Sequence, residues 1–404
     1  MYPSTIVAAV LILLRPAEAA AKGALSKQLW EPLLTFADKM RPVSGRATAK
    51  LNSEATRRSN LAVLQSQIAV FVTGKNNNAT TAEFGPIMMA LGKLMQTMVD
   101  TDPILNQEAV AAAAHGEYLR GAAKEFFNIA AGAYQGAANA RLTTNNKGQA
   151  AGNGINGISG IAGAKDKLAA PTAEPSTDDL DDVTADGFAS LKANQGIKDN
   201  ELSTAASGNS CTLFSSGTSG LLSTTGVSGT LKFTLGYLKR PNAADTGETS
   251  DGTKVAPNTA GTTASDLPEY SKAHAAIYKL KSPSSAADIS DVTGHAALTE
   301  MPELKTAINN LILKKKGEPA AGDTSTINKH IADYYTPRKD DFSKFWQKLK
   351  EVTLPVEIRG TQATTLDQVR DLRKLAGALV FYAKKNANDL QTKIAELQDK
   401  NSKT

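Results

Sequence analysis

The stretch PILNQEAVAAAAHGEYLRGAAKEFFNIAAGAYQGAANARL, residues 103–142, decides the fold. Its apolar residues recur at near-heptad spacing with small residues dominating, as on a helix that packs closely against a partner. The members of this stripe are Leu119, Ala122, Phe126, Ile129, Ala133 and Ala140. We expect Asp102 to cap the helix, with Pro103 at its first position. A helix of this length spans about 60 Å, so the stretch predicts a long rod rather than part of a compact globule.

The residues before this stretch predict a partner helix that runs in the opposite direction. Residues 22–73 have helical character apart from Arg41-Pro42, where proline should kink or break the helix. The second half carries the spacing of a coiled coil, at Leu61, Leu64, Ile68 and Phe71. The sequence GKNNN at 74–78 then predicts a turn, since Gly and Asn tolerate left-handed backbone. We therefore expect residues 20–142 to form a long helical hairpin.

A third long helix is predicted at residues 364–400. Apolar residues again recur three and four positions apart, and only Arg373 breaks the series. The series is Val369, Ala376, Val380, Ala383, Ala387, Leu390, Ile394 and Leu397. We expect this helix to return along the hairpin and to form one bundle with residues 45–142, which dimerises through its apolar seams. A charge at Ile129 or Leu390 would then lie in a packed interface.

The chain between these helices divides into a loop-rich part and a helical part. Residues 143–266, here called the upper lobe, are rich in polar and small residues and lack sustained periodicity, apart from a short helix expected near 188–193. Alternating apolar residues predict strands at 211–214 and 231–237. Residues 267–363 predict short helices. The predicted fold is therefore mainly α, an elongated antiparallel coiled-coil bundle of long helices with a small β-containing, loop-rich upper lobe.

The composition argues against a nucleic-acid partner. The chain of 404 residues carries 45 Lys and Arg against 40 Asp and Glu, a net charge of +5, with the two signs interspersed. The densest basic run, at 314–316, has no interleaved aromatic residue, which indicates a solvated helix end. Aromatic residues make up only 5% of the chain, which favours close packing between helices over a core of large rings.

The amino terminus carries a predicted signal peptide at residues 1–19. An apolar run at 6–14 is followed by Ala17-Glu18-Ala19, which has the form of an Ala-x-Ala cleavage site. No later stretch approaches about 18 consecutive apolar residues, so no membrane-spanning helix is predicted after the signal. We expect residues 20–404 to be exported as a soluble chain.

Export into an oxidising compartment makes the cysteine content unusual. Cys211 is the single cysteine, so a disulfide within the chain is impossible. A buried thiol, an orphaned half-cystine and an intermolecular bridge all remain open for this unpaired residue.

No pattern that suggests catalysis has the context that catalysis requires. Gly152, Gly154 and Gly157 spell G-x-G-x-x-G, but no strand precedes them and no amphipathic helix follows. The acidic run at 178–186 does not place a glutamate where a calcium loop needs one. The histidines lack zinc-site spacing; they are His115, His274, His295 and His330. We therefore predict no catalytic, cofactor-binding or metal-binding residues and no enzyme activity.

One motif suggests a covalent modification. Asn78-Ala79-Thr80 is an N-glycosylation sequon in an exported chain and lies at the predicted turn, where an acceptor must be exposed. Asn209-Ser210-Cys211 is the rare cysteine form of the sequon and carries less weight. We predict Asn78 as the glycosylated residue.

A set of short motifs, in one order along the chain, resembles those of a known family. The first is Leu29-Trp30-Glu31-Pro32-Leu33, and the second is EYLRG at 117–121 on the second long helix. The others are at 211–213, 220–221, 229–238 and 311–316. No single motif is specific, but their order and spacing hold from Ala20 to about Lys400. Together they resemble the A-type N-terminal domain of the trypanosome variant surface glycoproteins.

The resemblance implies a coat protein. A domain of this family forms a homodimer through its long helices and stands off the plasma membrane beside neighbouring coat molecules, with its top loops exposed to host antibodies. Its function would be to shield the membrane and to support antigenic variation and immune evasion. The stretches that could vary without disturbing a helical seam are 143–167, 215–228 and 242–266.

Two departures from the family pattern bear on this interpretation. Leu34 stands where the family has a cysteine, whose downstream partners are also missing, while Cys211 is left alone. The Cys-rich C-terminal domain and the signal for a glycosylphosphatidylinositol anchor are expected to be absent, so membrane attachment would need a lipid anchor that this chain does not encode. The alternative function is that of a receptor-like relative on the same scaffold, similar to the transferrin-receptor subunits or the serum-resistance proteins.

Overall fold

The structure, a computed structural model, describes residues 22–136, 140–146, 153–191, 197, 202–204, 213–214, 230–240, 267–281, 293–335, 342–359 and 364–403. The chain divides into two units. The first unit comprises residues 1–51 and 106–282, and the second comprises residues 52–105 and 283–404. Each unit has its own apolar core.

Long helices follow the apolar periodicity of the amino-terminal part. Helix α1 (Lys27–Met40) ends at the predicted break, and α2 (Val43–Lys75) begins directly after Pro42. Helix α3 (Asn78–Gly132) follows after Asn76 and Asn77, where Asn76 takes the left-handed backbone, with φ of 44°, that the reversal requires.

The predicted start of the second long helix at Asp102 is wrong. Pro103 lies inside α3, which continues through it without a break. An interior proline removes one helical hydrogen bond and costs about 3 kcal/mol, so packing on either side must offset it. Met98 before it and Ala109 after it are both buried. The carboxylate of Asp102 pairs with the guanidinium of Arg58 on α2 instead of capping a helix.

The described strands form small two-stranded antiparallel sheets in the first unit. Residues Lys22–Leu25, predicted as the start of the first helix, instead form strand β1. Their backbone is hydrogen-bonded to residues that follow α3. The N–H of Leu25 donates to the carbonyl of Arg141 at 2.8 Å, and the N–H of Thr143 donates to the carbonyl of Leu25 at 3.1 Å. The other strands are β2 (Val183–Thr184), β3 (Gly187–Phe188), β4 (Leu202–Thr204), β5 (Leu231–Phe233) and β6 (Leu238–Arg240). β1 pairs with β4, β2 with β3, and β5 with β6.

Two local predictions for the upper lobe are wrong. The single strand expected at 231–237 is a hairpin, since Thr234, Leu235 and Gly236 have φ values of 50°, 56° and 94° and reverse the chain between β5 and β6. The short helix expected from residue 188 is absent at Phe188, which pairs in β3 with Val183. Of the strand expected at 211–214, Leu213 and Phe214 form a turn, and the rest lies outside the described residues.

The part of the upper lobe at residues 153–168 contributes four side chains to the core, although other residues of the segment are exposed. Ile155, Ile161, Ala164 and Leu168 are all buried in the core of the first unit. The N–H of Ile155 donates to the carbonyl of Leu142 at 2.9 Å, and helix α4 (Ala164–Lys167) closes the segment. Substitutions at Ile155, Ile161 or Ala164, which fall within the expected variable stretch 143–167, would therefore reach the core, and the variability of that stretch stays a prediction.

The second unit contains short helices together with residues 52–105 of α2 and α3. Helix α5 (Pro268–Lys281) precedes them in the chain and belongs to the first unit. The short helices of the second unit are α6 (His295–Glu300), α7 (Pro302–Leu311), α8 (Thr324–Tyr334), α9 (Phe342–Lys350) and α10 (Val356–Arg359). An aromatic cluster joins them to the hairpin, with the Phe84 ring 4.3 Å from Phe345 and 4.9 Å from Phe71 between centroids.

The last helix, α11 (Leu372–Ser402), begins later than predicted and uses a different face. Asp371 caps it by accepting from the N–H of Arg373 at 2.9 Å. Leu375 and Ala378 are its buried residues, and the amide of Asn386 donates to the carbonyl of Thr73 at 2.8 Å. Of the predicted apolar series, Val369 is buried but precedes the helix, whereas Ala376 and the members from Val380 onward are exposed on this chain. The periodicity correctly predicts a helix. The face that this chain buries, however, is the one that carries Leu375 and Ala378.

The fold class predicted from the sequence is confirmed, with long helices and small strands in a mainly α chain. No helix in the described part of the chain is both long and apolar enough to span a bilayer.

Candidate functional site

The histidines lie in separate surroundings and share no site. His274 is fully buried, with its Nε2 2.6 Å from the carbonyl oxygen of Thr184, and burial lowers its pKa. His330 stacks on Tyr334 with ring centroids 4.4 Å apart, and burial lowers its pKa as well. Both rings act as neutral packing groups at pH 7. Across the described ranges, no cluster of three His, Cys, Asp or Glu side chains is placed to hold a metal ion.

The Gly-rich motif supports the core instead of a phosphate. Gly154 pairs with Thr143 in an antiparallel bridge, and the N–H of Gly157 donates to the carbonyl of Ala131 at 2.9 Å. Gly157 has φ of 65°, which explains the need for glycine there. Gly152 lies outside the described residues. The N–H groups of Ile155 and Gly157 are therefore engaged with the protein.

The acidic run stabilises the β2–β3 hairpin. Asp182 accepts hydrogen bonds from the backbone N–H and the hydroxyl of Ser190, at 2.7 and 2.9 Å. Burial raises the pKa of Asp182, and the bonds from Ser190 oppose that shift. This carboxylate is therefore a local structural acceptor.

A buried arginine is the main structural residue that sequence reasoning missed. Arg120 is 3% exposed, and its Nε donates to the carbonyl of Ala37 at 3.2 Å. Its terminal nitrogens donate to Glu117, at 3.2 Å, and to the carbonyl of Ala169. One guanidinium thus joins α3, the end of α1 and the segment after α4. The only signal of this role in the sequence is the position of Arg120 next to Leu119, a member of the predicted apolar stripe.

Leu34, which stands at the position of a family cysteine, is buried in the first unit. Its neighbour Trp30 donates its indole N–H to the carbonyl of Thr143 at 2.9 Å and packs edge-on against Phe127. An apolar side chain therefore fills the core at this position. Cys211 lies outside the described residues.

The predicted acceptor of a glycan lies at the hairpin turn between α2 and α3. Asn77 caps α3, because its side-chain oxygen accepts from the N–H of Thr80 at 2.8 Å. Asn78 is the first helical residue, and its side chain is exposed. The cap is made by Asn77, so the side chain of Asn78 takes no part in that bond.

An apolar groove lies in the second unit, where α2 and α3 meet the start of α11. Its volume is about 350 Å³. The lining residues include Ala69, Met88, Met89, Leu375 and Ala376. Gln65 and Ser66 also line the groove, and none of the residues that line it is titratable.

The two residues predicted to lie in a packed interface are both exposed on this chain. Ile129 on α3 is 53% exposed and Leu390 on α11 is 59% exposed. Within α3 the buried register is instead formed by Leu119, Ala123, Phe126, Phe127 and Ala130. Packing of Ile129 or Leu390 would therefore require another chain, and the packed interface at these residues stays a prediction.

Comparison with known proteins places this fold in a family. The chain matches the family model of the trypanosome variant surface glycoprotein (A-type) over residues 5–383. It is 31% identical over 391 residues to variant surface glycoprotein MVAT5 of Trypanosoma brucei rhodesiense, and the match covers 96% of this chain and 75% of that protein. The structure of MITat 1.1 shares the fold, with a TM-score of 0.74 at 18% identity, and the match covers 93% of this chain and 100% of that chain. The chain therefore belongs to the A-type family of trypanosome variant surface glycoproteins.

Proposed function

We propose that this chain is a surface coat glycoprotein that shields the plasma membrane and supports antigenic variation and evasion of host immunity. The observation that carries the proposal is the family match over residues 5–383. The curated relative is a variant surface glycoprotein too. The receptor-like alternative gains no support from these matches.

The division between core and surface supports this role. A coat protein must keep its scaffold while its exposed surface changes, so variable residues have to lie away from packed seams. The helices of each unit contribute apolar faces to the cores, and four side chains within residues 153–168 are buried as well. We therefore propose 215–228 and 242–266, which lie outside the described residues, as the main variable stretches.

The proposed partners follow from the coat function. We propose a homodimer beside neighbouring coat molecules, with host antibodies as external partners, and no nucleic-acid partner. The chain would reach the cell surface through the secretory pathway and be held there by a lipid anchor, as in the family. We propose no catalytic activity, because a coat acts by steric shielding.

Two binding experiments test the coat function. Antibodies raised against the purified chain should label living, unpermeabilised cells that express the gene, and labelling only after permeabilisation would contradict surface exposure. The purified chain should also retain no specific protein from host serum. Reproducible capture of one serum protein, lost when the chain is unfolded, would favour the receptor-like function instead.

We predict that Asn78 carries an N-glycan. Its side chain is exposed at the turn, and the sequon is complete with Thr80. Peptide mass spectrometry on protein from a glycosylating host should find Asn78 modified. The matched variant Thr80→Ala keeps the acceptor and removes the sequon, so the modification should disappear. An unmodified Asn78 in the parent protein would refute the prediction.

A further inference from the structure

His274 joins helix α5 to the β2–β3 hairpin in the first unit. Its ring is fully buried, and its Nε2 lies 2.6 Å from the carbonyl oxygen of Thr184. A carbonyl oxygen only accepts hydrogen bonds, so Nε2 carries the proton and Nδ1 is the unprotonated nitrogen of a neutral ring. The geometry therefore fixes both the charge and the tautomer of His274.

The second ring nitrogen has no group to which it could donate a proton. Nδ1 is buried and lacks a hydrogen-bond partner among the described residues. Aromatic rings pack around the imidazole, with Tyr278 stacked at 5.6 Å and Phe188 edge-on at 5.4 Å between centroids. Protonation would bury a positive charge and leave the new N–H unpaired, and both effects favour separation of the hairpin from α5.

The hairpin depends on contacts with other elements. Strands β2 and β3 contain two residues each. A two-stranded hairpin of this size is not stable alone in water, so packing must hold it closed. The ammonium of Lys281 on α5 contributes by donating to the carbonyl of Val183 at 2.7 Å. The Phe36 ring of α1 contributes too, 5.0 Å from the Phe188 ring between centroids. Of these contacts, the one made by His274 is sensitive to mild acid.

The charged groups around the ring are engaged elsewhere, exposed or themselves positive. The titratable groups on the surrounding elements are Tyr270, Tyr278 and Lys281 on α5, Asp181, Asp182 and Asp186 in or beside the hairpin, and Lys39 on α1. The Asp182 carboxylate accepts from Ser190 and lies near Lys39. Within the described ranges, no carboxylate is hydrogen-bonded to His274. Burial accordingly lowers the pKa of His274, although the bond to Thr184 opposes the shift.

The direction of the pH dependence follows from this shift. His274 in the unfolded chain has the ordinary histidine pKa of 6.5, whereas in the folded chain it binds a proton only at lower pH. Between these two values the unfolded chain binds more protons, so stability falls as the pH falls. The contribution of the neutral ring is therefore complete above about pH 6.5 and is lost progressively below it.

We propose that His274 makes the β2–β3 hairpin a pH-sensitive element, which packs against α5 near neutral pH and separates locally from it in mild acid, exposing Phe188. Histidine is the side chain whose ordinary titration falls in the range used by endosomal pH switches. The inference goes beyond the proposed coat function and does not depend on it.

Hydrogen–deuterium exchange of the full chain tests this opening. After correction for the intrinsic pH dependence of exchange, amide protection in residues 180–191 should fall severalfold between about pH 7.5 and pH 5.5, and by no more than about tenfold, since a single proton is bound. Residues 119–130 of α3 should keep their protection. His274→Gln, which has a neutral side-chain N–H and does not titrate, should abolish the pH effect in residues 180–191.

Two matched variants separate protonation from loss of a contact. Lys281→Met removes a contact between the same helix and the same hairpin that does not titrate in this range, so protection should fall by a similar factor at both pH values. His115→Gln removes another histidine of the first unit, on α3, and should leave the pH effect of the parent unchanged.

Proton NMR measures the titration itself. The chain has four histidines, and the ring signal of His274 can be assigned by its absence from His274→Gln. This signal should titrate below pH 6.5. A signal that titrates at or above that value would overturn the proposal, and this measurement decides the question even where His274→Gln does not fold.

Two exchange results would also overturn the proposal. The first is an equal pH effect on residues 180–191 in the parent and in His274→Gln. The second is a uniform loss of protection through the first unit in mild acid, which would show that acid destabilises the whole unit instead of opening the hairpin.

Discussion

Replacing Arg120 with Ala is expected to lower the free energy of unfolding of the first unit by about 3–5 kcal/mol. The guanidinium is buried and donates to Glu117 and to the carbonyls of Ala37 and Ala169. Truncation leaves two backbone acceptors without their donor, and each buried unsatisfied group costs about 1–3 kcal/mol. It also removes the packed stem of the side chain and creates a cavity.

Fluorescence can assign this loss to the first unit. The chain has two tryptophans, Trp30 in the first unit and Trp346 in the second. In a Trp346→Phe background, denaturant unfolding followed through Trp30 should show the Arg120→Ala transition at clearly lower denaturant. Lys124→Ala, at an exposed position one turn further along α3, should change the stability by less than about 0.5 kcal/mol.

The conservative variant separates charge from geometry. Arg120→Lys keeps the positive charge but lacks the planar fork that reaches three acceptors, so it should recover only part of the loss. Arg120→Ala within about 1 kcal/mol of the parent would show that this hydrogen-bond network does not stabilise the unit. Full recovery by Lys would show that the charge alone matters.

The presence of the long helices could be predicted from the sequence, but their ends could not. The periodicity of Leu61, Leu64, Ile68 and Phe71 predicted a packed face, and these residues are buried. The end signals at Asp102 and Pro103 were misleading because local preferences of about 1–3 kcal/mol were outweighed by packing on both sides. A cap sequence therefore marks a helix start only where no longer-range packing continues the helix.

The partner of an apolar stripe could not be predicted from the sequence either. The heptad series of α11 shows that a partner helix is favoured, and the same pattern serves contacts within a chain and between chains. The chain instead buries Leu375 and Ala378 in the core of the second unit, and residues 364–371 lead into this helix. Gln67 fixes that segment by donating to the carbonyls of Asp367 and Val369, three hundred positions away in sequence.

The buried polar contacts were the least predictable. Arg120 lies beside apolar residues in sequence, and besides Glu117 it has two acceptors, one from α1 and one from the segment after α4. These two long-range acceptors are backbone carbonyls, so no residue type in the sequence identifies them. Sequence patterns locate apolar faces because burial depends on residue type, whereas carbonyl partners depend on the final path of the backbone.

Replacing Phe84 with Ala is expected to lower the free energy of unfolding of the second unit by about 3–5 kcal/mol, the usual range for removing a buried aromatic ring. Phe84 is fully buried between Phe71 of α2 and Phe345 of α9. Its ring stacks on Phe345 at an interplanar angle of 13°, and Phe345 in turn contacts Trp346 edge-on. The loss should therefore combine the transfer of the ring to water, the cavity and the aromatic contacts.

Trp346 reports on this cluster directly, because it packs against Phe345 and donates its indole N–H to the carbonyl of Thr293 at 2.9 Å. In a Trp30→Phe background, unfolding followed through Trp346 should show a large loss for Phe84→Ala and a smaller one for Phe84→Leu, which keeps more of the volume. Val99→Ala, at a half-exposed position further along α3, should change the stability by less than about 0.5 kcal/mol. Equal stabilities for Phe84→Ala and Val99→Ala would mean that the ring cluster does not anchor α9 to the hairpin. The stability of the second unit would then have to come from its other contacts, such as those of α11 with α2.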